Sequence, residues 1–307
     1  MIGIVVLNYN TWEESRKCVE SLLNINEYKD IFIYIVDNHS TVVAPEKFVD
    51  FINADSRTEL IWNTKNSGYN AGNNVGIRKA LQDGCDYILV SNNDVTYDQD
   101  TIRSMVSMFS LHPDVGIVGP KIIEGNGSIQ EINMLVPTTL GGKYKYLLGH
   151  TPFKRIVRKY INTFSADRSN LSAPFYVSSV SGACLLISRE CCQAIFPFDE
   201  FPFLYEEEIM LGLALSKTRF KTLLDTNATV HHVHGASTHG IVAFSFTEFV
   251  RSEMYYCLHY LHSSKVAVMP LYLIRCVQYF SRCLVRADYR QQLKRFFART
   301  RESFKSA

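Results

Sequence analysis

Residues 2–23 read IGIVVLNYNTWEESRKCVESLL, and the order of residue types in this stretch decides the fold class. Ile2 to Leu7 is an unbroken apolar run without polar alternation, the pattern of a strand covered on both faces. It ends in Asn8-Tyr9-Asn10. Thr11-x-x-Glu14 then predicts a capping box for a helix whose apolar positions Cys18, Val19, Leu22 and Leu23 share one face.

The alternation repeats outward from there. Ile31 to Val36 and Tyr87 to Val90 are further buried strands, and Val115 to Val118 is another. Helices are predicted from Gly72 to Leu81 and on the face marked by Ile102, Met105, Val106 and Phe109. Continuous apolar strands separated by helices imply an α/β fold with a mostly parallel sheet and helices on both faces. Gly125 to Ser172 breaks the pattern with weak periodicity, a Gly-Gly pair and a basic, aromatic stretch from Lys143 to Lys159, and reads as an irregular excursion. Sheet-like signals return at Tyr176 to Ile187, a helix follows Tyr205, and Phe220 to Leu224 and Ala228 to Val233 read as two short strands. Beyond Phe246 the pattern is helical to the end, and no internal repeat is visible.

A chain of 307 residues with 47% hydrophobic and 20% charged content can bury a sizeable core. Eight cysteines are scattered without a C-x-x-C pair, and the adjacent Cys191 and Cys192 cannot bridge without severe strain, so reduced, buried thiols in a reducing compartment are expected. No basic leader or cleavage site precedes the first strand, so secretion is not expected. The longest strongly apolar run, Val266 to Ile274, contains Pro270 and is far below the roughly 20 residues that a membrane span needs. Net charge is +2, yet from Arg275 onward nine basic residues face two acidic ones, leaving the rest of the chain net acidic. A basic, aromatic tail on an acidic body argues for a partner and against nucleic acid.

In an open parallel sheet, ligands bind beyond the carboxyl ends of the strands. Three strands deliver polar residues there: Asn8-Tyr9-Asn10, Asp37-Asn38-His39-Ser40 and Asn92-Asn93-Asp94. Each cluster alone is equally the mark of a turn that bonds its own backbone, whereas three in register point to a site. Between them Asn66-Ser67-Gly68-Tyr69-Asn70-Ala71-Gly72-Asn73 opens a helix whose free N–H groups would suit an anion. It matches neither G-x-G-x-x-G nor a P-loop, which disfavours a dinucleotide or Walker-type site. Downstream, Glu206-Glu207-Glu208 starts a helix. Acids there commonly only complement the helix dipole, and positions 100° apart allow two of the three at most to face one site. In His231-His232-Val233-His234, His232 and His234 share a strand face and could ligate a metal or contact a phosphate. A metal hydrolase is disfavoured, since no H-E-x-x-H or comparable spacing exists.

The ordered set VVLNYN, VDNHS, NSGYNAGNN, LVSNNDV, VSGACLLISRE, FDEFPFLYEEE and VHHVHGAS resembles the family 2 glycosyltransferases, in particular their rhamnosyltransferase-like branch, from residue 2 to about residue 240. The resemblance implies a GT-A fold with a catalytic domain over 1–245, divided into a nucleotide-binding half at 1–120 and an acceptor and base half at 121–245. A helical basic-aromatic extension would then cover 246–307. It implies that Asp37 and Asn38 contact the donor base, that Gly68 and Asn73 lie near the nucleotide, and that Asn8 and Asn93 complete the donor set. Asp94, closing the counterpart of a D-x-D motif, would hold a Mg²⁺ or Mn²⁺ ion on the diphosphate. Gly182 and Ala183 would line the donor sugar or acceptor edge. Glu207-Glu208 stands at the family's Glu-Asp pair, with Glu208 as general base, and His232 or His234 would be the late histidine near the metal. Three departures stand out: Asn92 replaces the first acid, Glu208 is one methylene longer than the usual Asp, and Met210 sits where an acid is common.

The implied activity is an inverting, metal-dependent hexosyl- or rhamnosyltransferase that uses a nucleoside-diphosphate sugar, in bacterial O-antigen or capsule synthesis. The alternative is a catalytically weakened protein that binds nucleotide-sugar without turnover. The implied partner is a lipid-linked saccharide, and the basic-aromatic tail places the protein peripherally on an anionic surface, the cytoplasmic face of the inner membrane. Against that, the tail helices could pack on the catalytic body or on a second subunit, as in a homodimer.

Overall fold

The computed structural model describes residues 1–25, 29–131, 134–149, 155, 157, 171–232 and 242–305. In chain order the elements are β1 (Ile2–Asn8), α1 (Trp12–Leu23), β2 (Ile31–Asp37), α2 (Glu46–Asn53), β3 (Thr58–Trp62), α3 (Tyr69–Gln82) and β4 (Tyr87–Asn92). There follow β5 (Val95–Tyr97), α4 (Thr101–Leu111), β6 (Val115–Glu124), α5 (Leu140–Gly149), β7 (Phe175–Val177), β8 (Cys184–Ser188) and α6 (Arg189–Ile195). After α7 (Glu207–Leu215) and β9 (Lys221–His232) the chain is helical: α8 (Val242–Tyr255), a π-turn (Tyr256–Tyr260), α9 (Lys265–Val285), α10 (Ala287–Gln291) and α11 (Leu293–Lys305).

The strands form one sheet in the order β3-β2-β1-β4-β8-β6-β9-β5, with β7 paired to β9. β1 is parallel to both β2 and β4, with Asn8 in register with Asp37 and Leu7 with Asn92. The polar strand ends are thereby brought side by side where the order turns back on itself. Strand alternation explains why both faces had to be apolar. Ile2, Ile4 and Val6 with Ile31, Ile33 and Ile35 point into the core under α1, α2 and α4, while Val5, Tyr34 and Val36 point into the core under α3 and α6.

The sheet is mixed: β8 runs antiparallel to β4 and β6, and β5 and β7 run antiparallel to β9. β9 is one twelve-residue strand, where two short ones were expected. Its register against β6 slips between Pro120 and Lys121, so that residues 226–228 bulge between the two runs. The Thr11 capping box is absent. Thr11 is the N-cap but its side chain caps nothing in α1; its hydroxyl oxygen accepts the Asn93 side-chain amide at 2.7 Å. The Asn8 side-chain oxygen instead accepts the Thr11 N–H at 3.3 Å and the Ser15 hydroxyl at 2.9 Å.

The C-terminal helices share a third core with α7, in which Met210 lies among Val250, Met254, Leu271 and Phe296. Buried ion pairs join these layers. Lys143 reaches both Glu206 oxygens at 2.6 Å, Arg275 grips Glu253 at 2.7 and 2.8 Å, and Arg299 grips Glu248 at 3.0 and 3.1 Å. Part of the tail's positive charge, expected on the surface, is therefore spent inside the protein. Among the described residues no helix is long and apolar enough to cross a membrane. All eight cysteines are free and all but Cys283 are buried; burial pushes the thiols of Cys18, Cys184, Cys191 and Cys192 up to about 12, which makes them poor nucleophiles.

Candidate active site

The carboxyl edge of the sheet is held by a buried polar network. Asn8 donates to Asp37 at 2.9 Å, and Asp37 also accepts the Ser40 N–H at 3.0 Å and its hydroxyl at 2.5 Å. Asn38 donates to the Asn66 side chain at 3.0 Å and to the Gly68 carbonyl at 3.2 Å. Asn93 donates to the Thr11 hydroxyl at 2.7 Å and the Ser15 hydroxyl at 2.8 Å. Asn8, Asp37, Asn38 and Asn93 are all buried, and these bonds fix the β1 and β2 ends against the turn after β4.

Asp94 follows in that turn. The antiparallel register of β5 on β9 sets Val95 opposite His232, and so the Asp94 carboxylate lies 3.0 Å from the His232 Nε2. His231 points to the other face and meets Asp98 at 3.2 Å on the surface. His234 lies outside the described residues.

The Gly68 to Asn74 stretch is closely engaged in packing. Gly68 has φ +103°, and a Cβ there would stand 2.7 Å from the Phe203 backbone. The Phe203 carbonyl accepts the Tyr69 N–H at 2.9 Å, so the first N–H of α3 is taken by protein. Asn74 exchanges bonds with Phe198, at 2.8 Å to its carbonyl and 3.0 Å from its N–H, and Asn70 donates to the Asp199 carbonyl at 2.8 Å. Asn73 is wholly buried, beside the Tyr69 hydroxyl. Asn70 and Asn74 dock the 198–200 loop that leads to α7.

Glu207 and Glu208 begin α7 and line one cavity of about 220 Å³ together with Tyr69, Gly182, Phe198 and Tyr260. The Gly182 N–H donates to a Glu208 carboxylate oxygen at 3.2 Å, and a Cβ at Gly182 would press on that oxygen at 3.1 Å. The Tyr69 hydroxyl donates to the Gly182 carbonyl at 2.5 Å. The next residue, Ala183, turns its side chain into the core while its carbonyl accepts the Asn92 N–H at 2.9 Å. A short bonded path thus runs from Glu208 through Gly182 and Ala183 to Asn92-Asn93-Asp94. Glu207 is buried with one carboxylate oxygen unpartnered; burial, then the adjacent Glu208 carboxylate, hold its pKa well above 4.5. Burial, then Glu208 and Glu207, likewise push the Tyr69 hydroxyl up.

Glu206 is set apart. It and Tyr205 occupy the left-handed region at φ 69° and 73°, which turns Glu206 away to the buried Lys143. Tyr69 was not singled out by pattern, and Lys143 was read only as the start of a basic, aromatic stretch, not as the partner of a glutamate.

A divalent ion can be tested against the donor set. Asp94 and His232 supply one carboxylate and one imidazole, both nearly buried, and no group of three His, Cys, Asp or Glu side chains that could hold a metal is found among the described residues. Mg²⁺ is commonly held by one or two carboxylates with substrate phosphates and water completing the shell. The residues fit an ion bridged to a phosphorylated ligand, not one caged by protein.

The fold is an α/β sheet with a buried polar cluster at its carboxyl edge. The chain belongs to glycosyl transferase family 2, whose model matches residues 3–193, and it is a glycosyltransferase. It is 25% identical over 246 residues to the N-acetylglucosaminyl-diphospho-decaprenol L-rhamnosyltransferase of Mycobacterium tuberculosis (strain ATCC 25618 / H37Rv), covering 78% of each chain. It is 28% identical over 232 residues to the O-antigen biosynthesis protein RfbC of Myxococcus xanthus, covering 72% of this chain and 16% of that protein. Among solved structures it matches S. aureus TarS 1-349 with TM-score 0.56 at 14% identity, covering 98% of this chain and 80% of that one. A structure of GalNAc-T7 with UDP, GalNAc and Mn²⁺ matches with TM-score 0.57 at 15% identity, covering 78% of this chain and 44% of that one. These likenesses establish the GT-A fold.

Proposed function

We propose that this protein transfers a hexosyl or rhamnosyl unit, with inversion, from a nucleoside-diphosphate sugar to a hydroxyl of a lipid-linked saccharide in cell-surface glycan synthesis. The observation that carries this reading is the bonded path between the Glu208 carboxylate and the Asn92-Asn93-Asp94 turn. It supports a base and a diphosphate-binding edge on opposite sides of one reacting carbon. The rhamnosyltransferase and O-antigen relatives support the substrate class.

Glu208 is the proposed base. Its carboxylate takes the acceptor hydroxyl proton as that oxygen forms a bond to the anomeric carbon and the bond to the diphosphate oxygen breaks. The Gly182 N–H orients one carboxylate oxygen, leaving the other for the proton. Glu207 is unsuited to the role because burial opposes its charged form. Asp94 and His232 would hold a divalent ion, which when bound would neutralise charge on the diphosphate. Asn8, Asp37, Asn38 and Asn93 are assigned to shaping the donor edge through their buried network rather than by direct contact, with Gly68 setting the turn beside it; Asn73, whose side-chain amide has no hydrogen-bond partner in the fold, keeps its assignment near the nucleotide. Gly182 keeps the assignment at the sugar edge, and Ala183 contributes its backbone. Met210 does not signal lost activity, since its apolar side chain belongs to the core beneath the C-terminal helices.

The test is product stereochemistry. With a panel of nucleoside-diphosphate sugars and Mn²⁺, the glycoside formed should carry the anomeric configuration opposite to the donor's. Retention would remove Glu208 as a base acting in one displacement, and donor binding without any transfer would favour a non-catalytic binding protein.

A further inference from the structure

The twenty-one residues of α9 contain no Asp or Glu. One side, with Val268, Leu271, Cys276 and Tyr279, is buried against the C-terminal core. The opposite side is apolar and open. Val266, Met269, Leu273, Val277, Phe280 and Leu284 recur at steps of three and four, the spacing of a single helix face, and Val266 and Leu284 are each 84% exposed while Val277 is 67% exposed. Between Lys265 and Arg286 the only charged residues are Arg275 and Arg282. Arg275 is buried on Glu253, and Arg282 lies 4.1 Å over the Phe246 ring. The open face is therefore uncharged for some 27 Å, at 1.5 Å of rise per residue.

Cations rim this face. Lys265 stands at its start and Arg290 beyond its end, both exposed. α11 lies alongside, with Phe304 5.2 Å from Tyr272 and Phe297 5.9 Å from Phe280. On α11, Lys294 and Arg301 fall roughly 40–60° around the helix from Phe297, on the outward side, and both are exposed. Of the acids nearby, Asp288 pairs with Arg286 and offsets that cation, and Glu302 turns inward to Arg251 and Arg299.

We propose that the open face of α9 is the surface on which the protein rests in an anionic bilayer, the apolar stripe at headgroup depth and the rim cations on lipid phosphates. An apolar helix face flanked by cations and free of acids is what an interfacial helix requires. A second copy of the chain is the poorer occupant, because a two-fold contact through this stripe would set cationic rim against cationic rim. The proposal rests on the lipid-linked acceptor reading for its purpose, though its physics does not depend on it.

The test is flotation of the full chain with phosphatidylcholine vesicles, with and without phosphatidylglycerol. The wild type should float only with the anionic lipid and be released by salt. Leu273→Glu combined with Val277→Glu, both solvent-exposed positions, should cut vesicle binding about tenfold or more, given about 0.8 kcal/mol per buried CH₂, with unchanged melting temperature and unchanged turnover on a water-soluble acceptor. Lys294→Glu with Arg301→Glu should weaken binding to anionic vesicles alone. A wild type that stays with the soluble fraction, or a Leu273→Glu/Val277→Glu protein that floats as well as wild type, overturns the proposal. So does a sedimenting dimer that this double variant converts to monomer. Flotation without sugar transfer would leave the docking face standing and remove the acceptor reading instead.

Discussion

Glu206, Glu207 and Glu208 are identical in the sequence, and the fold gives them three fates. Helix geometry already ruled out a common role. What it could not supply was the partner of each: Lys143 for Glu206, apolar burial for Glu207 and the Gly182 N–H for Glu208. The Glu207 environment has a consequence for pH. Its folded pKa lies above the ordinary 4.5, so its contribution to stability is fully present below that value and is lost as pH rises through the folded pKa. Glu207→Gln should therefore flatten the fall in stability as pH rises above about 4.5 and be at least as stable as wild type at the alkaline end. Chemical denaturation at a series of pH values checks this, and an unchanged slope would mean that Glu207 is solvated. Asn73 marks another limit of sequence reading: it is wholly buried, and nothing in its neighbourhood of asparagines told Asn73 apart from Asn74.

Elements were legible where their apolar period was long. β1, β2 and β4, buried on both faces, are visible as unbroken runs, and with them the edge on which the polar clusters fall. α2 and β3 were not: α2 is amphipathic but only eight residues long, and the five residues of β3 are only partly buried. The mixed sheet was hidden for a different reason: a strand buried on both faces reads alike in either direction, so β8 gave no sign that it runs against β4. The capping box at Thr11 failed because a competing donor, the Asn93 amide, takes the hydroxyl oxygen. Gly68, read as a loop element near a nucleotide, is also, by its positive φ and its contact with Phe203, the joint between α3 and the segment before α7. Gly68→Ala should cost about 2 kcal/mol or more from backbone strain and crowding. It should also lower turnover, since Phe203 must shift and Tyr205 to Glu208 follow it. Thermal unfolding together with donor turnover would reveal this, and a variant equal to wild type in both would place the constraint elsewhere.

At the scale of the whole molecule, the C-terminal helices are structural before they are anything else. Their excess of positive charge is plain in the sequence, but only the contacts separate Arg275 and Arg299, which pair with buried glutamates, from Lys294 and Arg301, which remain on the rim. Deleting the chain from Arg275 would strip the third core and leave Glu253 buried without its cation, so truncation cannot isolate a surface role. Lys143 is the link from the body: Lys143→Met should leave Glu206 and Glu253 buried without it and destabilise the protein by about 3 kcal/mol or more, measurable as a lowered urea midpoint. A midpoint unchanged from wild type would mean that water solvates the pair. All of this architecture converges on one carboxylate. The most direct test is the rate of sugar transfer by Glu208→Gln, measured with the cognate donor alongside donor affinity. The account predicts a loss of about 10²-fold or more in turnover with donor affinity kept; transfer at the wild-type rate would contradict it.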